Sequence, residues 1–154
     1  MSKNLLDTLN FPNDLKNLSY KQLIELSNEI RVRLIDVTNT VGGHLASNLG
    51  VVELTLALHT IFNSPTDKFL WDTSHQTYVH KMLTGRLDQM YTIKQYRGLS
   101  GFAKIAESEH DCFGAGHAST SLSAAIGVAQ ARNALNQNHS VVCVLGDGGL
   151  SGGM

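Results

Sequence analysis

The sequence has 154 residues, 42% of them hydrophobic, with 12 basic and 13 acidic side chains and a formal net charge of −1. That is apolar chain enough for one sizeable core, and too even a charge for a nucleic-acid-binding stripe or a charged tail. No stretch reaches a bilayer span, and the N-terminus lacks the pattern of a signal or transit peptide, so a cytoplasmic globular domain is expected, with neither nucleic acid nor membrane as partner.

In chain order, Leu18-Ser19-Tyr20-Lys21-Gln22-Leu23 reads as a helix start. Ser19 caps, Gln22 reaches back as its capping-box partner, and Leu18 with Leu23 forms a hydrophobic staple. Leu23, Leu26, Ile30, Leu34 and Val37 then recur at helical spacing, with Glu25, Arg31 and Arg33 off that stripe, until Gly42-Gly43 ends it. A second helix is predicted over 51–62, apolar around most of its circumference and therefore largely buried. Asn63-Ser64-Pro65 stops it. Phe69-Leu70-Trp71-Asp72 is a short strand, followed by a helical pattern from His75 to about residue 84. The span 98–116, with Gly98, Gly101, Gly114 and Gly116, has no sustained period and reads mainly as loop. A small-residue helix is predicted over 119–135 and a buried strand over 141–145. This alternation is an α/β pattern with a parallel sheet. Ligands of such sheets bind beyond the carboxyl ends of the strands, where residues 72–75 and Asp147 lie.

The run Gly146-Asp147-Gly148-Gly149 lets backbone approach a ligand closely, and its carboxylate suits a hard cation that shares its ligands with phosphates. Alone, such a run is more plainly a solvated tight turn, and no GxGxxG accompanies it. Four of the seven histidines, His44, His75, His80 and His117, lie beside glycines or in the strand-end loops. His59, His110 and His139 read as ordinary surface or core residues. A metal site from His75 and His80 is disfavoured, because five residues along a helix point them to different faces and no HExxH is present. Imidazoles in three strand-end loops point instead to a site that handles protons near neutral pH. No GxSxG elbow occurs, and the serines at 119, 121 and 123 read as a cap and packing residues. Cys112 and Cys143 are far apart and Cys143 sits in an apolar run, which argues against a disulfide framework, favours a reducing compartment and makes Cys143 inert core.

The blocks GGHLASNLGVVELTLALH, DKFLWDTSHQTYVHKMLTGR, GLSGF, SEHDCFGAGHASTSLSAAIGVAQAR and VVCVLGDGGLSGGM occur in this order. Together they resemble the N-terminal segment of the 1-deoxy-D-xylulose-5-phosphate synthase family, thiamin-diphosphate enzymes related to transketolase. The resemblance covers essentially the whole chain. It implies a parallel-sheet thiamin-diphosphate-binding fold, incomplete here: residues 1–154 would be the N-terminal part of the diphosphate-binding domain, without the later pyrimidine-binding and C-terminal domains. It implies condensation of pyruvate with D-glyceraldehyde 3-phosphate, with release of CO₂, at the head of the non-mevalonate isoprenoid route, in a homodimeric full-length enzyme. The cofactors would be thiamin diphosphate and Mg²⁺. The cofactor carries the carbon–carbon chemistry, so the protein chiefly positions, protonates and deprotonates.

By this resemblance Asp147 is a metal ligand, and Gly148 and Gly149 belong with it to the cofactor-binding turn. Gly116, His117 and Ser119 lie against the cofactor. His75 is both cofactor-binding and catalytic, and His44 is catalytic, contacting substrate or moving protons. Two departures stand out. Thr73-Ser74 replaces an apolar residue and Gly common in relatives, so a positive φ there would strain Ser74. Gly149 replaces a common alanine. The Asn that completes the family's metal site and the glutamate that activates the cofactor are absent, so the chain alone is expected to be inactive. A subunit of a split transketolase-like enzyme and a non-catalytic phosphate-binding remnant are the alternatives.

Overall fold

Residues 4–152 are described in the computed structural model, so the Gly153-Met154 end of the last block lies outside the described residues. They divide into two compact units, one of residues 4–61 with Tyr78–Gly101 and one of Phe62–Thr77 with residues 102–152. The hydrophobic core cluster, from Leu6 to Leu99, lies in the first of these units.

The first unit is helical. It contains α1 (Leu5–Thr8), a 3₁₀ turn (Asn13–Asn17), α2 (Tyr20–Val41), α3 (Leu45–Leu49), α4 (Val52–Ile61) and α5 (Tyr78–Lys81), then a wide turn (Met82–Arg86) and a 3₁₀ turn (Leu87–Thr92). The capping box forms as expected: Ser19 Oγ accepts the Gln22 N–H at 3.4 Å and Gln22 Oε1 accepts the Ser19 N–H at 2.9 Å. Leu26, Ile30, Leu34 and Val37 are fully buried, and α4 and α5 add Val52, Leu56, Tyr78 and Val79 to the same cluster. The expected helix over 51–62 is α4, but it does not bury most of its circumference. Val52, Thr55, Leu56 and His59 are buried while Leu54 and Ile61 are 44% and 69% exposed, because α4 lies along α2 and turns one side to it.

In the second unit β1 (Lys68–Trp71) pairs in parallel with β2 (Val141–Val144), Lys68 opposite Val141 and Trp71 opposite Val144. The α6 helix (Ser121–Ala134) packs on both strands, and the short α7 (Asp147–Leu150) follows β2. The parallel sheet predicted from the alternation is therefore present, with two strands among the described residues. Phe69, Leu70 and Trp71 are buried, whereas Val141, Val142, Cys143 and Val144 are all half-buried, so β2 and Cys143 are less enclosed than the apolar run suggested. Neither cysteine is in a disulfide. At the start of the pair Asp67 holds both strands, its carboxylate accepting the Ser140 N–H at 2.6 Å and the Asn63 N–H at 2.7 Å.

The helix expected from His75 begins only at Tyr78. Thr73 and Ser74 have φ of +56° and +66°, outside helical geometry. Gln76 Nε2 and Thr77 Oγ1 then donate to the Asp72 and Ser74 carbonyls, side-chain bonds that compete with a helical backbone. His75 thus lies on a loop. Likewise α6 starts two positions after the expected Ser119, whose φ is +68°. No described helix is long and apolar enough to cross a membrane.

Candidate functional site

At the carboxyl end of β1, Asp72 is 3% exposed and gathers three segments of the second unit. Its backbone N–H donates to Val144 O at 2.7 Å and extends the strand pair by one residue. Its Oδ2 accepts the Ser119 N–H at 3.0 Å, and its Oδ1 accepts the Ser121 N–H at 3.2 Å and the Ser121 hydroxyl at 2.8 Å. Burial works to raise this carboxyl, but the donors from Ser119, Ser121 and Thr120 outweigh it and hold the pKa below the usual carboxylate range. The same oxygens meet the glycine turn: a Cβ at Gly149 would stand 2.6 Å from Asp72 Oδ2. The lack of a side chain at Gly149 is what lets the turn come this close. Ser74 adds a further tie, accepting the Ala103 N–H on its hydroxyl at 2.9 Å.

Ser119 is therefore buried at the start of α6, while Gly116 and His117 are exposed on the loop before it. Asp147 is exposed at the first position of α7. The Gly148 N–H, expected to meet a diphosphate, donates to Asp147 Oδ1 at 2.9 Å, and the Gly149 N–H donates to Gly146 O at 3.0 Å. Around Gly116, Gly146 and Gly148 a Cβ would meet no atom within 4 Å, which leaves room beside both loops. The amide-rich start of α6, an attractive seat for an anion, is already taken by Asp72. His75 is half-buried on the loop after β1.

His44 belongs to the first unit, immediately before α3. Tyr78, fully buried, presents its hydroxyl 3.2 Å from both the backbone N and Nδ1 of His44. Asn48 Nδ2 donates to His44 O at 2.6 Å, and its Oδ1 accepts the Tyr78 N–H at 2.8 Å. His80 is not at a site loop at all. It is fully buried, its Nδ1 2.9 Å from Nε2 of the buried His59, with the two rings stacked.

Comparison with known proteins bears on both units. The family model described as 1-deoxy-D-xylulose-5-phosphate synthase matches residues 6–154. The chain belongs to this family. Among its curated relatives, the 1-deoxy-D-xylulose-5-phosphate synthase of Syntrophomonas wolfei is 59% identical over 150 residues, 97% of this chain and 24% of that protein. The enzymes so named from Caldanaerobacter subterraneus and Dehalococcoides mccartyi (strain BAV1) are 57% and 58% identical over 97% and 100% of the chain, again 24% of each relative. The chain thus spans about a quarter of the length of the relatives it matches.

A member of the 1-deoxy-D-xylulose-5-phosphate synthase family is expected to use thiamin diphosphate and Mg²⁺, and the donors here fit one side of such a group. Asp147 offers one exposed hard-oxygen ligand, and the open faces of Gly116, Gly146 and Gly148 admit phosphate oxygens. Among the described residues no group of three or more His, Cys, Asp or Glu side chains surrounds a possible metal, so further ligands would have to come from the diphosphate, water or residues beyond these. Sequence reasoning placed Asp72 at a strand end without giving it a role, and it missed Asn48 and Tyr78, which with Asp72 order these segments. The available signal was weak. Asp72 is a lone carboxylate ending an apolar strand, and Asn48 with Tyr78 sit in the two blocks most characteristic of the family.

Proposed function

We propose that this chain is the N-terminal part of the diphosphate-binding domain of a 1-deoxy-D-xylulose-5-phosphate synthase. The whole protein would be a cytoplasmic, homodimeric transferase of isoprenoid synthesis that condenses pyruvate with D-glyceraldehyde 3-phosphate and releases CO₂. The observation that carries this reading is the unbroken similarity from residue 6 to 154, at 57–59% identity to enzymes of that name. A non-catalytic remnant or a subunit of a divided enzyme has no comparable support.

When bound, thiamin diphosphate supplies the electron sink for decarboxylation and carbon–carbon bond formation. The residues of this chain have the remaining tasks. Asp147 would hold Mg²⁺, and in turning to the metal its carboxylate would release the Gly148 N–H for a phosphate oxygen. Gly116, His117, Ser119 and Gly149 would line the cofactor. His75, on a loop tied to Asp72, would lie beside the cofactor near the reacting centre. His44 would exchange a proton with the substrate-derived part. Residues 1–154 span about a quarter of the length of these relatives and by themselves would not turn over.

The test is the full-length protein with pyruvate, D-glyceraldehyde 3-phosphate, thiamin diphosphate and Mg²⁺. It should form 1-deoxy-D-xylulose 5-phosphate and CO₂ in equal amounts. Asp147→Ala should weaken Mg²⁺ and cofactor affinity together, and His44→Ala should spare both while lowering kcat about a hundredfold. No product from the full-length protein, or equal affinity for thiamin diphosphate and ADP, would overturn the proposal.

A further inference from the structure

The Tyr78 hydroxyl faces two nitrogens of one residue, the backbone N and Nδ1 of His44, each at 3.2 Å. A phenol has one proton to give and two lone pairs to receive with. The His44 N–H can only donate, so it takes a lone pair. The phenolic proton then needs an acceptor, and among the described residues Nδ1 is the one within reach. Were Nδ1 protonated, the oxygen would receive two donors and its own proton would be left buried without a partner, a costly arrangement. Burial pushes the Tyr78 phenol up, against a smaller downward pull from the His44 N–H, so it keeps its proton at neutral pH.

The Asn48 side chain and Gly43 frame this contact. Asn48 ties the His44 carbonyl to the Tyr78 N–H through opposite ends of one buried amide. Gly43, at φ +134°, leaves the space the hydroxyl occupies, for a Cβ there would lie 2.8 Å from Tyr78 Oη. We propose that Tyr78 is a positioning residue that fixes the neutral imidazole of His44 as the Nε2–H tautomer, so that Nε2–H is presented as a hydrogen-bond donor to the substrate-derived part. Neutral His44 is then a donor at Nε2 and has no lone pair there with which to act as a base. This rests on the reading of His44 as a residue that meets the substrate-derived part.

The decisive measurement is neutron diffraction from perdeuterated crystals of the full-length protein at about pH 8, where an ordinary imidazole is neutral. Deuterium is expected on His44 Nε2, none on Nδ1, with the Tyr78 O–D directed at Nδ1. Deuterium on Nδ1, or an O–D turned elsewhere, would overturn the assignment. The result is read from the wild-type protein and does not depend on which reaction it catalyses, so it can fail while the proposed function stands. In addition, Tyr78→Phe should lower kcat about tenfold while leaving KM for pyruvate and thiamin diphosphate affinity within about twofold. Unchanged kcat, or an equal fall in cofactor affinity, would count against a role through His44. If that variant does not fold, the neutron result decides alone.

Discussion

In the unit that carries His44, apolar side chains spaced along α2 meet others from α4 and α5, and the shape follows from their burial. In the unit that carries Asp147, loops converge on two carboxylates instead. Asp67 gathers backbone amides at the start of the strand pair, and Asp72 gathers them at its end. Hydrophobic burial is non-directional and tolerates exchange of similar side chains, whereas a carboxylate that accepts several amides specifies where each loop must stand. The first kind of construction makes a scaffold. The second makes a shaped site.

Substitutions in the full-length protein test this contrast, read by amide hydrogen exchange so that each unit reports separately. The largest effect is expected from Leu34→Ala, which empties a fully buried position and should cost roughly 3 to 4 kcal/mol, spread over the α2 amides. Asp72→Ala should cost somewhat less, roughly 2 to 3 kcal/mol, but concentrated on the amides of 116–121. If that loss spread evenly over both units, the idea of a local polar hub would be wrong.

Acid should sharpen the same distinction. Burial works to raise both Asp67 and Asp72, and their amide donors prevail, leaving both carboxyls below the usual range. Their contribution is therefore fully present above the ordinary carboxylate value of about 3.9 and is lost as pH falls through the lower folded values. Exchange at the strand ends should accelerate there before exchange in α2 does. An unchanged order of protection down to pH 2 would remove the carboxylates from the account.

Two smaller effects belong to the helical unit. Ser19→Ala breaks the capping box and should cost about 1 kcal/mol, confined to the first turn of α2. Arg31 and Glu53 pair at 2.5 Å on the surface with side chains 33% and 57% exposed, so Arg31→Ala should cost no more than about 0.5 kcal/mol and nothing measurable in high salt. A larger, salt-resistant loss would mean that charge pairing contributes to the scaffold after all.

These differences explain what could be read in advance. The α2 helix was legible to its cap because capping boxes and apolar periodicity are local in sequence. So were the two strands and their parallel pairing. The extent of α4 burial was misjudged, since a run of apolar residues does not say how many neighbours will surround it. The start of α5 was placed too early because the left-handed residues Thr73 and Ser74, and the side-chain bonds of Gln76 and Thr77, interrupt a helical pattern without changing its hydrophobic period. His80 looked like a site residue only because it follows His75; its burial against His59 is a fact of packing.

From the sequence alone came the family, the α/β alternation, the capped α2 and the glycine turn around Asp147, all carried by residues close together in the chain. Only the tertiary structure decided that Asp72 closes the start of α6 and meets Gly149, and that Tyr78 faces His44. These pairs lie 47 to 77 and 34 positions apart, as the residue numbers of Asp72, Ser119, Gly149, His44 and Tyr78 show. Hydrogen bonds over such separations leave no periodicity in the chain. They exist because folding brings a donor and an acceptor to one buried place where each would be costly to leave unpaired.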